Sequence, residues 1–221
     1  MGCPFQYISG KLRGDLPELT KRLAKLPVDQ RGYPVPFFVA WIDGQPDFRV
    51  ADPVKLVACV KHGLCWVCGE NLGSRKSFVI GPMCAVNRNS AEPPSHPDCA
   101  EWSLKGCPFL TKPNMVRRED ETTKALDGNV SGVMIKRNPG VMLCWETRRF
   151  TPHSDGNGGV LFDVGEPHAV SWWREGRPAT RSEAMESIES GIPLLMECCD
   201  TPDDKLALAR AVEKALKLLP A

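Results

Sequence analysis

Residues 63–110, from Gly63 to Leu110, read GLCWVCGENLGSRKSFVIGPMCAVNRNSAEPPSHPDCAEWSLKGCPFL. This stretch contains five of the chain's ten cysteines and one of its four histidines. Thiols clustered beside a histidine indicate a metal site, a disulfide cluster or a catalytic pocket. The chain shows no apolar run of signal-peptide or membrane-helix length, so we expect a cytoplasmic protein, in which disulfides are rare. A metal site is therefore the preferred interpretation.

The first pair of candidate ligands lies in the sequence Cys65-Trp66-Val67-Cys68. A structural zinc ion takes four sulfur or imidazole donors in a tetrahedron, and two intervening residues let both thiolates face one ion. Gly69 follows directly and permits the positive φ that such a tight turn often needs. We predict that Cys65 and Cys68 bind zinc.

The second pair of candidate ligands is His96 and Cys99. Pro97 suits the first position of a helix and Asp98 suits its first turn, so a helix is predicted to begin beside His96. Residues three apart in a first helical turn lie on one face. His96 and Cys99 therefore complete the predicted site.

Two cysteines of the stretch remain as alternative ligands. Either Cys84 or Cys107 could replace His96 in an all-cysteine site, and His96 would then be a loop residue. Other cysteines are interpreted as small buried hydrophobic residues: Cys59, Cys144, Cys198 and Cys199.

Between the two pairs, Gly73 and Ser74 predict a turn and residues 78–80 predict a strand, which together suggest a small β-hairpin. A knuckle, a hairpin and a helix bearing the last two ligands resemble the treble-clef zinc finger over residues 63–107. The resemblance implies that Cys65 and Cys68 are the knuckle ligands, that the helix pair follows at positions 96 and 99, and that Zn²⁺ is a structural cofactor.

The same stretch resembles a family of small bacterial and phage proteins that carry CWVCG, FVIGPMCAVNR, EPPSH and CPFL. No activity is established for that family. The resemblance therefore implies one folded unit and indicates no chemistry.

The rest of the chain predicts an α+β fold. Strands are expected on either side of the Asp43-Gly44 turn and in the later runs GVMIKR, GVMLCWETRRF, GGVLFDV and HAVSWW, which suggest an antiparallel meander. Helices are expected after caps at Asp15, Asp52, Thr180 and Thr201. We predict an N-terminal unit over 1–112 with the zinc finger at 63–107, a linker at 113–130, and a sheet with two helices over 131–221.

No motif of a known catalytic site is present. A catalytic zinc needs an open coordination position, and four protein ligands leave none. His62 is followed by Gly63 and Leu64, so the H-x-E with P-C-x-x-C signature of zinc deaminases is missing, as are H-E-x-x-H, G-x-S-x-G and phosphate-binding glycine loops. We therefore favour a protein that is not an enzyme.

One enzymatic alternative remains open. Cys84 could act as a nucleophile if Arg88 lowered its pKa and His96, freed from metal binding, served as a base. A metal-dependent nuclease is a related possibility, because such enzymes also use treble clefs. However, the predicted hairpin carries no histidine, and His153 and His168 are interpreted as surface residues.

The charge balance does not select a partner. The chain has 28 Lys and Arg against 27 Asp and Glu, so its net charge of +1 produces no long-range field. Basic residues nevertheless cluster locally, at Arg75-Lys76, Arg88, Arg117-Arg118, Lys136-Arg137 and Arg148-Arg149. Five tryptophans could stack beside them or belong to the core: Trp66, Trp102, Trp145, Trp172 and Trp173. We predict a protein or nucleic-acid partner, and no membrane.

Overall fold

The structure, a computed structural model of the chain, describes residues 10–112 and 139–221. Its α-helices are α1 (Pro53–His62), α2 (Pro82–Asn87), α3 (Pro97–Gly106), α4 (Pro108–Thr111), α5 (Arg181–Glu189), α6 (Ile192–Met196) and α7 (Pro202–Leu216). Its strands are β1 (Val39–Ile42), β2 (Gln45–Ala51), β3 (Lys76–Ile80), β4 (Asn89–Ser90), β5 (Met142–Thr147), β6 (Thr151–Ser154), β7 (Val160–Asp163), β8 (Ala169–Arg174) and β9 (Arg177–Pro178). This mixture confirms the predicted α+β class.

Three of the predicted helix caps are confirmed. The Asp52 carboxylate accepts a hydrogen bond from the amide of Val54 at the start of α1. Thr180 and Thr201 each form a capping box at the start of α5 and α7. These contacts satisfy amide groups that the first helical turn leaves without partners.

The helix predicted after Asp15 is wrong. Only a single 3-10 turn, Leu23–Lys25, forms in this segment. The segment instead packs on α3, where the Trp102 indole Nε1 donates a hydrogen bond to the Pro17 carbonyl at 3.2 Å. A short isolated helix is marginal in water, so contacts with α3 decide its conformation.

All strand pairs are antiparallel, in sheets of order β1-β2, β3-β5-β8-β9 and β4-β7-β6. The order differs from that of a simple meander, because β5 pairs with β8 while β6 and β7 form a hairpin beside β4. The strand predicted at 132–137 and the linker predicted at 113–130 lie outside the described residues.

The β3–β5 pair joins the two halves of the chain. Phe78 lies opposite Trp145, and Ile80 lies opposite Leu143. The division into units at 1–112 and 131–221 stays a prediction, but these two ranges contribute strands to one sheet.

The larger core is built from residues of this sheet, of β7 and of helices α2, α5 and α7, and its largest buried side chains include Trp145, Phe78 and Phe162. A second, smaller cluster consists of Leu23, Cys65, Val67, Cys99 and Trp102. The tryptophan side chains are core residues rather than exposed stacking surfaces at four of the five positions named above: Trp66, Trp102, Trp145 and Trp172. No helix within residues 10–112 and 139–221 is both long enough and apolar enough to cross a membrane.

Candidate metal centre

The first side of the candidate metal centre is a tight turn directly after α1. Gly63 ends α1 in the left-handed conformation, with φ 63°. The amide of Cys65 then donates to the Glu70 carbonyl at 2.8 Å, and the amide of Gly69 donates to the Cys65 carbonyl at 2.8 Å. Gly69 has φ 75°, and a Cβ there would lie 2.7 Å from the Phe37 ring. Glycine is therefore required at this position, and the turn brings Cys68 back towards Cys65.

The second side is the start of α3. His96 is the N-cap residue and Pro97 the first helical residue, as predicted, so Cys99 lies in the first turn. The segment before the helix is held by the Pro94 carbonyl, which accepts from the amide of Trp66 at 3.1 Å. The start of α3 is thereby placed against the turn that carries Cys65 and Cys68.

The ligand atoms of Cys65, Cys68, His96 and Cys99 all lie within 4.8 Å of one another. Nδ1 of His96 is 3.4 Å from Sγ of Cys68 and 3.9 Å from Sγ of Cys99. Tetrahedral coordination with metal–sulfur bonds of about 2.3 Å and metal–nitrogen bonds of about 2.0 Å separates the ligand atoms by roughly 3.5–3.8 Å. The four side chains could therefore hold a metal ion.

The orientation of the His96 ring suits metal binding at Nδ1. Its Nε2 lies 3.0 Å from the backbone carbonyl oxygen of Asn71. A carbonyl only accepts hydrogen bonds, so Nε2 carries the proton and the Nδ1 lone pair faces the thiols. Metal-binding histidines commonly have such an outer partner. Sequence reasoning missed Asn71, because a backbone carbonyl leaves no signal in the residue type.

The three thiols do not titrate alike. The pKa of Cys65 is lowered because the Cys68 and Cys99 thiols and the amides of Cys68 and His96 donate hydrogen bonds to its sulfur. The neighbouring Cys65 sulfur raises the pKa of Cys68 to about 11 and also raises that of Cys99. A thiolate at Cys65 therefore leaves its two neighbours protonated, and a bound cation would displace those protons.

Ion pairs fasten the N-terminal segment over this centre. Arg22 contacts Asp98 at 2.9 Å and Glu70 at 3.3 Å, and Lys25 contacts Glu70 at 2.6 Å. Asp98 belongs to α3, whereas Glu70 belongs to the cysteine turn. The basic pair thus bridges both sides of the centre from the outside.

Neither of the rival cysteines belongs to the group. Cys84 lies on α2, and Cys107 lies between α3 and α4. Burial raises the pKa of both thiols, which keeps them protonated at neutral pH. The structure therefore brings together the four residues chosen from the sequence and leaves these two apart.

Comparison of the chain with protein-family models, with curated proteins and with solved structures finds no match. What can be inferred about function comes from this chain's own residues. These residues define a protein with a candidate metal centre of three cysteines and one histidine.

Proposed function

We propose that this chain is a binding protein in which Cys65, Cys68, His96 and Cys99 hold a structural Zn²⁺ ion and the folded surface engages a protein or nucleic-acid partner. The observation that carries the proposal is the convergence of four protein ligand atoms within 4.8 Å. Four protein ligands fill a tetrahedral site, so no position is left for a water molecule or a substrate.

The donor set supports zinc over other metals. Three thiolates and one imidazole are soft and intermediate donors, which suit Zn²⁺ and exclude the oxygen-preferring Mg²⁺ and Ca²⁺. Bound zinc would supply cross-linking between the turn at Cys65 and the start of α3. Hydrophobic packing would supply the remaining stabilisation of this region, because Cys65 and Cys99 are buried in the smaller hydrophobic cluster.

A treble-clef-like finger over residues 63–107 is part of the proposal. The cysteine turn carries a bridge between Leu64 and Asn71, and a second bridge joins Ser77 to Ser95 just before α3. The hairpin predicted around Gly73-Ser74 is wrong, because β3 pairs with β5. In this interpretation the Ser77–Ser95 bridge takes its place, with α2 and β4 between the two residues.

The enzymatic alternative gains no support from the surroundings of Cys84. Burial raises its thiol pKa, whereas an activated nucleophile needs a lowered one. Arg88 donates to the Gly165 carbonyl at 3.1 Å and lies over the Trp145 ring, and His96 faces Cys68. Both helpers of the proposed nucleophile are therefore engaged elsewhere.

Metal analysis of the purified protein tests the structural zinc. We expect one zinc ion per chain, and removal by a chelator should lower the unfolding temperature. Cys68→Ser should lose the zinc ion, whereas Cys198→Ser should keep it, because Cys198 is an exposed thiol outside the group. A wild-type protein that is folded and cooperative without any metal would contradict the proposal.

A further inference from the structure

The fold brings together two basic pairs that lie far apart in the sequence. Lys76 begins β3 and lies opposite Thr147 at the end of β5, so Arg148 and Arg149 follow directly beside it. The Lys76 ammonium reaches the Arg148 carbonyl at 3.5 Å. Arg75, Lys76, Arg148 and Arg149 therefore form one surface, which we call the basic turn.

Two carboxylates near the basic turn already have basic partners. Glu146 accepts two hydrogen bonds from Arg75, at 2.6 and 2.7 Å, and Glu166 contacts Arg88 at 3.4 Å. In the part of the chain that the structure describes, none of the three cations Lys76, Arg148 and Arg149 forms an ion pair with a carboxylate.

These cations are open to solvent. Arg148 and Arg149 are exposed and Lys76 is half-buried. The adjoining strand β6 is exposed along its whole length, so it does not cover the turn. A large anionic partner can therefore approach the basic turn directly.

The two aromatic residues next to the basic turn in sequence, Trp145 and Phe150, belong to or pack against the larger core. The nearest aromatic residue in sequence, Phe150, packs edge-on against Phe78 with ring centroids 5.7 Å apart, and Trp145 is buried. Proteins that bind single strands combine a basic groove with exposed aromatic rings. The chemistry of this surface instead fits the phosphate backbone of a duplex, which cations bind without reading sequence.

We propose that the basic turn binds the phosphodiester backbone of a nucleic-acid duplex. Lys76, Arg148 and Arg149 contact phosphates, while Arg75 stays fixed by Glu146 and holds the start of β3 in place. The proposal rests on the proposed binding function, and it names the partner class. It does not depend on the identity of the bound metal.

The test measures binding of the full chain to a labelled mixed-sequence DNA duplex and to the RNA duplex of the same sequence, by fluorescence anisotropy over a series of salt concentrations. We expect the wild-type protein to bind at least one duplex, with affinity falling linearly on a log–log plot against salt. Binding to DNA alone, to RNA alone or to both supports the proposal and identifies the source of the duplex.

The decisive variant is Arg148→Ala/Arg149→Ala. Each phosphate contact contributes about 0.9 to the salt slope, so the slope should decrease by about 2 and the affinity at low salt should fall on the order of tenfold or more. The matched control is Lys205→Ala/Arg210→Ala, which removes two exposed cations from α7, a helix that packs on α2 and α6. The control should keep the wild-type slope.

Three results would overturn the proposal. The first is no binding of the folded wild-type protein to either duplex. The second is an unchanged slope and affinity in the Arg148→Ala/Arg149→Ala variant. The third is equally tight, turn-dependent binding to polyglutamate, which would assign the surface to acidic proteins.

Two further measurements separate this proposal from the structural zinc. Zinc content and unfolding temperature are measured for the wild-type protein and both double variants. All three proteins should give the same values, because the substituted side chains are exposed. A zinc-loaded, folded protein that binds no duplex overturns only the proposal that the basic turn binds nucleic acid. A metal-free protein that binds a duplex overturns the structural zinc alone.

Discussion

Ser77 and Ser95 exchange two backbone hydrogen bonds, each with a nitrogen–oxygen distance of 2.8 Å. Ser77 lies on β3, whose other edge pairs with β5, and Ser95 immediately precedes His96. The sheet that contains β3 and the candidate metal centre are therefore joined by backbone hydrogen bonds. Loss of a metal ion from the centre should consequently destabilise this edge of the sheet.

Hydrogen exchange should report this connection. Removal of the metal by a chelator is expected to accelerate amide exchange about tenfold or more at Ser95 and Ser77, because metal binding stabilises the segment beside His96. The amides of the β5–β8 pair should change less, because that pair is held by the larger core. Amide exchange followed by NMR checks the prediction, and equal acceleration in both regions would contradict it.

Substitution of His96 should separate a metal ligand from a simple cap. We expect His96→Ala to weaken zinc binding by about a hundredfold or more, since loss of even an outer-shell partner costs roughly 10–100-fold. His96→Cys should weaken it less, because a fourth thiolate restores the tetrahedron. Competition with a chromogenic chelator measures both affinities. Wild-type affinity in His96→Ala would show that the histidine is not a ligand and would direct attention to Cys84 and Cys107.

Truncation of Phe78 should destabilise the whole protein. Its side chain is buried on β3 and packs near Phe150 and Phe162. We expect Phe78→Ala to lower the free energy of unfolding by about 3–5 kcal/mol, through lost burial and the cavity that remains. Urea denaturation measures the change. Val79→Ala, at a half-buried position on the other face of the strand, is the control and should cost less.

Low pH should destabilise the start of α5, because the Glu183 carboxylate becomes protonated. Hydrogen bonds from Arg177 and from the Thr180 amide lower the pKa of Glu183 to about 2 from a usual 4.5. A carboxylate whose folded pKa is depressed stabilises the fold above its unfolded pKa, and this contribution disappears as pH falls from about 4.5 towards 2. Glu183→Gln should therefore destabilise the protein at pH 7 and by progressively less below about pH 4.5.

The difference in unfolding temperature between Glu183→Gln and the wild-type protein, followed with pH, measures this effect. Acid-induced loss of metal is common to both proteins and cancels in the difference. Glu186→Gln, further along the same helix and without an ion pair among the described residues, is the matched control. A difference that stays constant from pH 7 to the lowest pH with cooperative unfolding would refute the assignment.

Local signals predicted much of the candidate site. The two-residue spacing of Cys65 and Cys68, and Pro97 at the start of α3, depend only on neighbours within one turn. The caps at Thr180 and Thr201 are local for the same reason. Such features can be inferred from a sequence because the residues that determine them are adjacent.

Long-range pairing could not be predicted in the same way. The strand at residues 78–80 was expected in a local hairpin, yet β3 takes its partner from Met142–Thr147. Strand preference depends on the side chains that meet across the sheet, and here Phe78 meets Trp145 within the core. The residue pattern of a single strand therefore does not show which other strand it pairs with. Tertiary contacts with α3 likewise replaced the helix expected after Asp15.

The position of β3 also has a consequence for the order in which the protein forms during translation. All four ligands of the candidate metal centre, ending with Cys99, leave the ribosome before β5 does. Ser95 can then hydrogen-bond to one edge of β3. The other edge of β3 stays unpaired, and Phe78 stays uncovered, until Met142–Thr147 has been synthesised. During that interval the nascent chain exposes an unpaired strand. Chaperones can bind such a strand, and it can also pair with another chain and cause aggregation.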